Sequence, residues 1–143
     1  MNFSENIFYK IINGQAPSYK VYEDDDFFVI LDINPANMGH SLILPKIPAR
    51  DIFDLNEDSA AKLYPMAAKI AKAVQQATNC DGIKVLQNNG SAADQVVFYF
   101  HLHIIPFFEG EIRARKSFTA EQFEEMAEKI VGVMTNADAF VNE

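Results

Sequence analysis

The chain has three histidines, and two of them, His101 and His103, stand one residue apart. They lie in the run Val96-Val97-Phe98-Tyr99-Phe100-His101-Leu102-His103-Ile104-Ile105-Pro106. Its β-branched and aromatic content predicts a buried strand, closed by Pro106. Side chains of a strand alternate between faces. Val97, Tyr99, His101, His103 and Ile105 then share one face, and Val96, Phe98, Phe100, Leu102 and Ile104 share the other. A buried imidazole carries a desolvation cost unless it is hydrogen-bonded. A lone histidine there would read as a satisfied core residue, whereas a same-face pair favours a site. Imidazole serves as nucleophile, general acid or metal ligand. His-x-His with His40 as a third ligand would suit a metal. No carboxylate or thiol shares that strand face, so zinc ranks second.

The elements that must position these groups follow from local patterns. Ser4 to Asn13 reads as a short helix capped by Ser4, with Ile7, Phe8, Ile11 and Ile12 apolar and Asn13-Gly14 ending it. Tyr19–Glu23 and Phe27–Leu31 read as a hairpin around Asp24-Asp25-Asp26. Asn34-Pro35-Ala36-Asn37-Met38-Gly39 has turn chemistry. It leads through His40 into a third strand, Ser41 to Leu44. The connector from Ile47 to Asn56 holds one expected helical turn at Asp51-Ile52-Phe53. A long helix from about Asp58 to Thr78 carries the stripe Leu63, Ala67, Ile70, Val74, Ala77. Pro65 predicts a kink or restart in it. Gly82 to Gln87 is a fourth strand, and a polar turn from Asn88 to Asp94 precedes the histidine strand. Phe107 to Lys116 reads as a loop. Thr119-Ala120-Glu121-Gln122 matches a capping box opening a last helix to about residue 135, with Phe123, Met126, Ala127, Ile130 and Met134 inward. The final residues are expected to fray. Short strands joined by hairpin-type turns and interspersed with helices predict one α+β domain over residues 1–143 with an antiparallel sheet.

Composition narrows the function classes. The 143 residues are 49% apolar, which predicts a globular domain with a real core. The net charge of −8 argues against general nucleic-acid binding. It leaves room for a small anion held by histidines and backbone N–H groups. Cys80 is the only cysteine, which excludes an intrachain disulfide and a cysteine-rich metal site. No apolar run reaches membrane-spanning length and the first residues lack signal-peptide character, so a cytoplasmic protein without membrane association is expected.

Leu31-Asp32-Ile33-Asn34-Pro35 through Gly39-His40 and Leu44-Pro45-Lys46, with His101-Leu102-His103-Ile104-Ile105-Pro106, resembles the histidine triad (HIT) family. Ile7-Phe8-Tyr9-Lys10-Ile11-Ile12 and Pro17-Ser18-Tyr19-Lys20-Val21 resemble the start of its Hint-like branch. The resemblance runs from about residue 5 to 107. It implies a five-stranded antiparallel sheet with helices packed on it, continued across a homodimer. It also implies a nucleotide-binding hydrolase acting through a nucleotidyl-histidine intermediate on a phosphoramidate or phosphoanhydride. The family pattern His-φ-His-φ-His-φ-φ, φ being apolar, reads Tyr99-Phe100-His101-Leu102-His103-Ile104-Ile105 here. By that match His101 is the nucleophile, His103 binds phosphate and His40 is the upstream histidine. Asp32 falls where an acidic residue holds the ribose hydroxyls, and Asn88 where an amide meets the phosphate. Ile7, Phe8, Ile11, Ile30 and Ile33 fall on the base pocket, whose bland reading is ordinary core. Gln95 and Tyr99 complete the expected substrate-binding set. The implied ligand is a purine nucleotide or its conjugate, with no cofactor.

Three departures matter. Tyr99 replaces the first motif histidine, which predicts reduced or altered activity and supplies the rival reading, a nucleotide-binding sensor or scaffold with little catalysis. Asp94 replaces a usual glycine and would repel an anionic phosphate, while Val96 stands where some members have serine. Some bacterial members bind structural zinc through Cys-x-x-Cys and a later histidine. Those positions read Asn6-Ile7-Phe8-Tyr9 and Pro48, so no structural zinc is expected.

Overall fold

The structure is a computed structural model that describes residues 2–136; the expected fraying of the last residues lies outside that range. The first helix, α1, spans Ile7–Ile12. Its cap is Asn6 and not Ser4: the Asn6 side chain accepts from the N–H groups of Phe8 and Tyr9. A turn closed by Asn6 N–H on the Phe3 carbonyl (2.8 Å) occupies the residues before it. Strands β1 (Lys20–Glu23) and β2 (Phe27–Leu31) form the expected antiparallel hairpin. At its tip, the Asp24 carboxylate accepts from the N–H groups of Asp26 and Phe27.

β3 spans Ser41–Pro45 and pairs antiparallel with β2. At Asp51-Ile52-Phe53 the chain makes a turn at Ile52-Phe53 that does not extend into a helix. Side-chain carboxylates take the local N–H groups instead: Asp54 accepts from Arg50 and Asp51, and Asp51 accepts from Phe53. Helix α2 runs over Glu57–Thr78, capped by Asn56, and continues through Pro65 without the expected restart. β4 (Gly82–Leu86) and β5 (Leu102–Phe107) complete the sheet. The capping box forms at Thr119, and α3 covers Ala120–Thr135.

The strand order is β1-β2-β3-β5-β4, with every pairing antiparallel. One sheet face buries Val29, Leu31, Ile43, Leu102 and Ile104 against Ile70 and Val74 of α2 and Phe123 and Ile130 of α3. The opposite face buries Phe28, Ile30, Leu42 and Leu44 against Phe8 and Ile11 of α1 and against Tyr99. Both faces of β2 and β3 are thus covered, which explains why their sequences are apolar without alternation.

The histidine strand is shorter at its start than its sequence predicts. Residues 96–101 form no ladder. β4 stops opposite His103, β3 pairs only from Leu102 to Ile104, and the Phe100 N–H goes to the Ala49 carbonyl at 2.8 Å. Val96 and Phe98 are exposed (82% and 36%) where alternation would bury them. Phe100 and Tyr99 still enter opposite cores. At the other end, Pro106 lies inside β5 and does not close it. Its carbonyl accepts from Asn37 at 2.8 Å. A strand residue's N–H and C=O point the same way, so the N–H that proline lacks faces the Asn37 loop and not β4.

Gly39 fixes the approach to His40. Its φ is +102°, and a Cβ there would lie 2.8 Å from the Thr78 methyl. Gly39→Ala is expected to cost about 2 kcal/mol, from left-handed strain and overpacking together. Chemical denaturation measures the loss. Thr78→Ser, which removes the methyl, should return the steric part.

Candidate active site

The β3–β5 register sets Leu42 opposite His103 and Ser41 opposite Ile104. His40, one residue before β3, therefore arrives beside His103. Its Nε2 lies 2.9 Å from His103 Nδ1. His101 and His103 share a face, with ring centroids 4.9 Å apart. His40 and His101 are buried, and His103 is half-buried.

Hydrogen bonds assign the protons. His101 Nδ1 lies 2.6 Å from the Tyr99 carbonyl. A carbonyl can only accept, so Nδ1 carries the hydrogen and Nε2 keeps its lone pair. His40 Nδ1 accepts the Ala36 N–H at 3.0 Å. The neutral His40 ring therefore carries its proton on Nε2 and donates it to His103 Nδ1. That leaves His103 with a proton on its own Nε2. Burial lowers the pKa of all three rings below the ordinary 6.5. Asp32 partly offsets this for His40 and His101, while the neighbouring rings push His103 down further, to about 3. At neutral pH the cluster holds one unprotonated nucleophilic nitrogen and one N–H donor.

A cleft of about 560 Å³ opens over these groups, within the usual range for small-molecule sites. Ile7, Phe8, Ile11, Ile30 and Ile33 form its apolar part. Ile7 and Ile33 are 47% and 66% exposed, so the bland core reading fails for these two. Phe8 also meets the His101 ring edge-on, with centroids 5.1 Å apart. Asp32, Asn88, His101 and His103 line the polar part. One Asp32 oxygen accepts the Asn34 N–H at 2.9 Å, and the other lies 3.5 Å from His40 Nε2. The Asn88 side-chain amide makes a long contact to the Asp94 carbonyl (3.5 Å), and its backbone carbonyl accepts from Gln87 Nε2 at 3.0 Å. Asp94 is on the cleft wall with φ +71°, a left-handed conformation that favours glycine and that aspartate tolerates.

Two expected substrate contacts are corrected. Gln95 is buried and lines no part of the cleft. Its Oε1 accepts from Gly90 N–H, and its Nε2 donates to the Arg50 and Val97 carbonyls. Tyr99 is fully buried in the α1-side core, and its hydroxyl donates to the Pro45 carbonyl. Only its backbone carbonyl serves the site. The cleft also includes Ser18, Asn34 and Leu42, which the sequence did not single out. Leu42 could have been found from the β3–β5 register. Ala36 N–H, which sets the His40 tautomer, leaves no mark in residue type.

Asp32, His40 and His103 have ligand atoms within 4.8 Å of one another, close enough to hold a metal. His40 does not fit that role. Its Nδ1 is occupied by the Ala36 N–H, so its Nε2 must keep a proton, and a ligating nitrogen must be bare. A hydrogen-bonded relay suits this donor set better than a cation.

Fold and cleft together define a histidine triad protein: an antiparallel α+β sheet whose β5 carries His103, with the backbone-locked ring of His101 just ahead of it. The HIT domain model matches residues 13–110, and the chain belongs to the HIT family. It is 43% identical over 100 residues to adenylylsulfatase HINT3 of Arabidopsis thaliana, covering 70% of this chain but 51% of that protein. It is 39% identical over 100 residues to adenosine 5′-monophosphoramidase hnt1 of Schizosaccharomyces pombe, covering 70% and 72%. Among solved structures, a Hit-like protein of Bartonella henselae superposes with a TM-score of 0.85 at 39% identity, over 93% of this chain and 99% of the other.

Tyr99→Phe tests the structural role of the hydroxyl. It leaves the buried Pro45 carbonyl without its donor, so unfolding stability should fall by about 1–3 kcal/mol. The His101 ring should keep its tautomer, read by nitrogen NMR, because the Tyr99 backbone carbonyl remains.

Proposed function

We propose that the protein hydrolyses a nucleoside monophosphate, most plainly adenosine monophosphate, from an amine, a sulfate or phosphate, or a second nucleotide. The observation that carries this reading is the Nδ1 contact of His101 to the Tyr99 carbonyl, which leaves Nε2 a free base at the cleft. HIT membership supports it, as do the two relatives named for adenylyl sulfate and adenosine monophosphoramidate. A phosphoramidate is the first choice of substrate and a dinucleoside polyphosphate the second.

In this mechanism the base lies in the apolar part of the cleft and the ribose diol meets Asp32. A carboxylate, being acceptor only, suits two hydroxyl donors. His101 Nε2 attacks the α-phosphorus as the bond to the leaving group breaks. The departing amine or oxygen takes up one proton from solvent, which the water of the second step makes good. His103 Nε2–H, backed by His40, stabilises charge on the phosphoryl oxygens. Water then attacks phosphorus, supplies a proton in turn, and frees both the mononucleotide and His101. Among the described residues no helix is long and apolar enough to cross a membrane.

The binding-only reading rested on loss of the first motif histidine. Tyr99 turns its side chain into the core, and the carbonyl that orients His101 belongs to the backbone. This supports catalysis over binding alone.

His101→Ala should lower turnover of an adenosine phosphoramidate by about a thousand-fold or more. Equal turnover by both proteins, or none by wild type with either a phosphoramidate or a diadenosine polyphosphate, would sink the proposal. The lowered His101 pKa fixes the pH response. Protonation of Nε2 abolishes attack, so kcat/KM should stay flat through neutrality and fall only on the acid side, below pH 6.5.

β4 is an edge strand with Lys84 and Val85 exposed, which supports continuation of the sheet across a homodimer. Light scattering should then give twice the 16.1 kDa chain mass. Val85→Pro, at a position whose N–H faces outward because its neighbour Lys84 is the one bonded to Ile105, blocks strand addition and should give the monomer mass; a monomeric wild type would overturn the expectation.

A further inference from the structure

We infer that Asn37 is a positioning residue for the triad: clamped to β5 and Glu111, it holds the loop that fixes the His40 tautomer and, through it, the His103 proton. The inference rests on the hydrolase reading above for its kinetic consequence, though not for its structural one.

Asn37 is a buried polar residue, 4% exposed, in the turn before His40. Three oxygens surround its Nδ2: the Pro106 carbonyl at 2.8 Å and both Glu111 carboxylate oxygens at 3.0 Å. Only an NH2 group satisfies that environment, so one hydrogen serves Pro106 and the other the carboxylate. These partners lie 69 and 74 residues away in sequence. The contacts therefore tie a surface turn to the end of the site strand.

Glu111 is fixed in turn. It accepts from the Phe108 N–H at 2.7 Å and pairs with Lys116 at 3.4 Å. Lys116 also donates to the Ala36 carbonyl at 3.3 Å. The Ala36 residue is thus held from both sides, its C=O by Lys116 and its N–H by His40 Nδ1. The Asn37 carbonyl accepts the His40 backbone N–H at 3.1 Å. Side chain and backbone of Asn37 together close the loop on His40.

The Ala36 N–H decides which His40 nitrogen carries the proton. Were it withdrawn, His40 could place its hydrogen on Nδ1 and accept from His103. His103 would then carry its proton on Nδ1 and offer a lone pair to the phosphoryl oxygens. A lone pair facing an anionic oxygen repels where the N–H donor attracts. Nucleotide binding through the apolar cleft and Asp32 would be largely kept. The defect belongs in kcat and much less in KM.

Asn37→Asp sets a second carboxylate against Glu111 and removes the donor. Asn37→Asp with Glu111→Gln restores a 37–111 hydrogen bond with the donor reversed and leaves the Pro106 carbonyl without its donor. Two measurements apply: nitrogen NMR of the His40 ring at neutral pH, and kcat and KM with an adenosine phosphoramidate. In Asn37→Asp, His40 is expected to lose its single Nε2–H tautomer, and kcat to fall about ten- to a hundred-fold with KM changed less than about threefold. The double variant should recover part of the tautomer preference and part of kcat, since one of the two tethers returns. Asn37→Ala adds no buried charge and carries the same two measurements if Asn37→Asp does not fold. An unchanged His40 tautomer with wild-type kcat in the folded variant overturns the inference. If wild type turns over no nucleotide, the hydrolase reading fails, while the His40 tautomer still decides the clamp.

Discussion

Everything at the site depends on the pairing of β3 with β5. That short ladder, Ser41 with Ile104 through Ile43 with Leu102, puts His40 against His103. Register in an antiparallel pair moves in whole residues, and a one-residue slip would turn His103 to the α2 face. The register is held by burial on both sides. Leu42 and Leu44 fill the α1-side core, while Ile43, Leu102 and Ile104 fill the α2 side. Apolar packing that carries no chemistry therefore sets the distance between two catalytic candidates.

Burial does a second task. It keeps the three imidazoles neutral, and a neutral ring can be nucleophile or one-sided donor according to which nitrogen is bonded. Here backbone groups make that choice. The Tyr99 carbonyl claims one proton, and the Ala36 N–H refuses another. An acidic chain of net charge −8 can still present a single N–H donor at the cleft this way, that of His103 Nε2. Asp94 on the cleft wall works against an anion there, in a backbone conformation that glycine would adopt more easily.

Tyr99 illustrates how a motif position can change side chain and keep its contribution. The ring fills the α1-side core and meets Phe3 edge-on, the hydroxyl satisfies Pro45, and the carbonyl orients His101. The last of these is independent of the side chain. A reading based on residue types alone assigns the site a missing imidazole, where the geometry shows a backbone acceptor in use.

Features set by neighbours a few residues apart were legible in the sequence. The same-face pairing of His101 and His103 follows from the two-residue strand period, and the Thr119–Gln122 box from side chains one helical turn apart. The β2 strand and the α2 stripe were visible for the same reason. The Asp32, Asn88 and isoleucine positions came from family resemblance, and all of them line the cleft. Tertiary structure decided what depends on distant partners. Residues 96–101 have strand composition but no strand beside them, so they form no ladder. Gln95 looked available and is spent on the Arg50 carbonyl. Asn37 and Glu111 met only when the chain brought residues some 70 positions apart into hydrogen-bond contact, while the Ala36 N–H, only four residues from His40, is a backbone group that residue type does not record. Hydrogen bonds of that kind select protons and tautomers, and local periodicity carries no record of them.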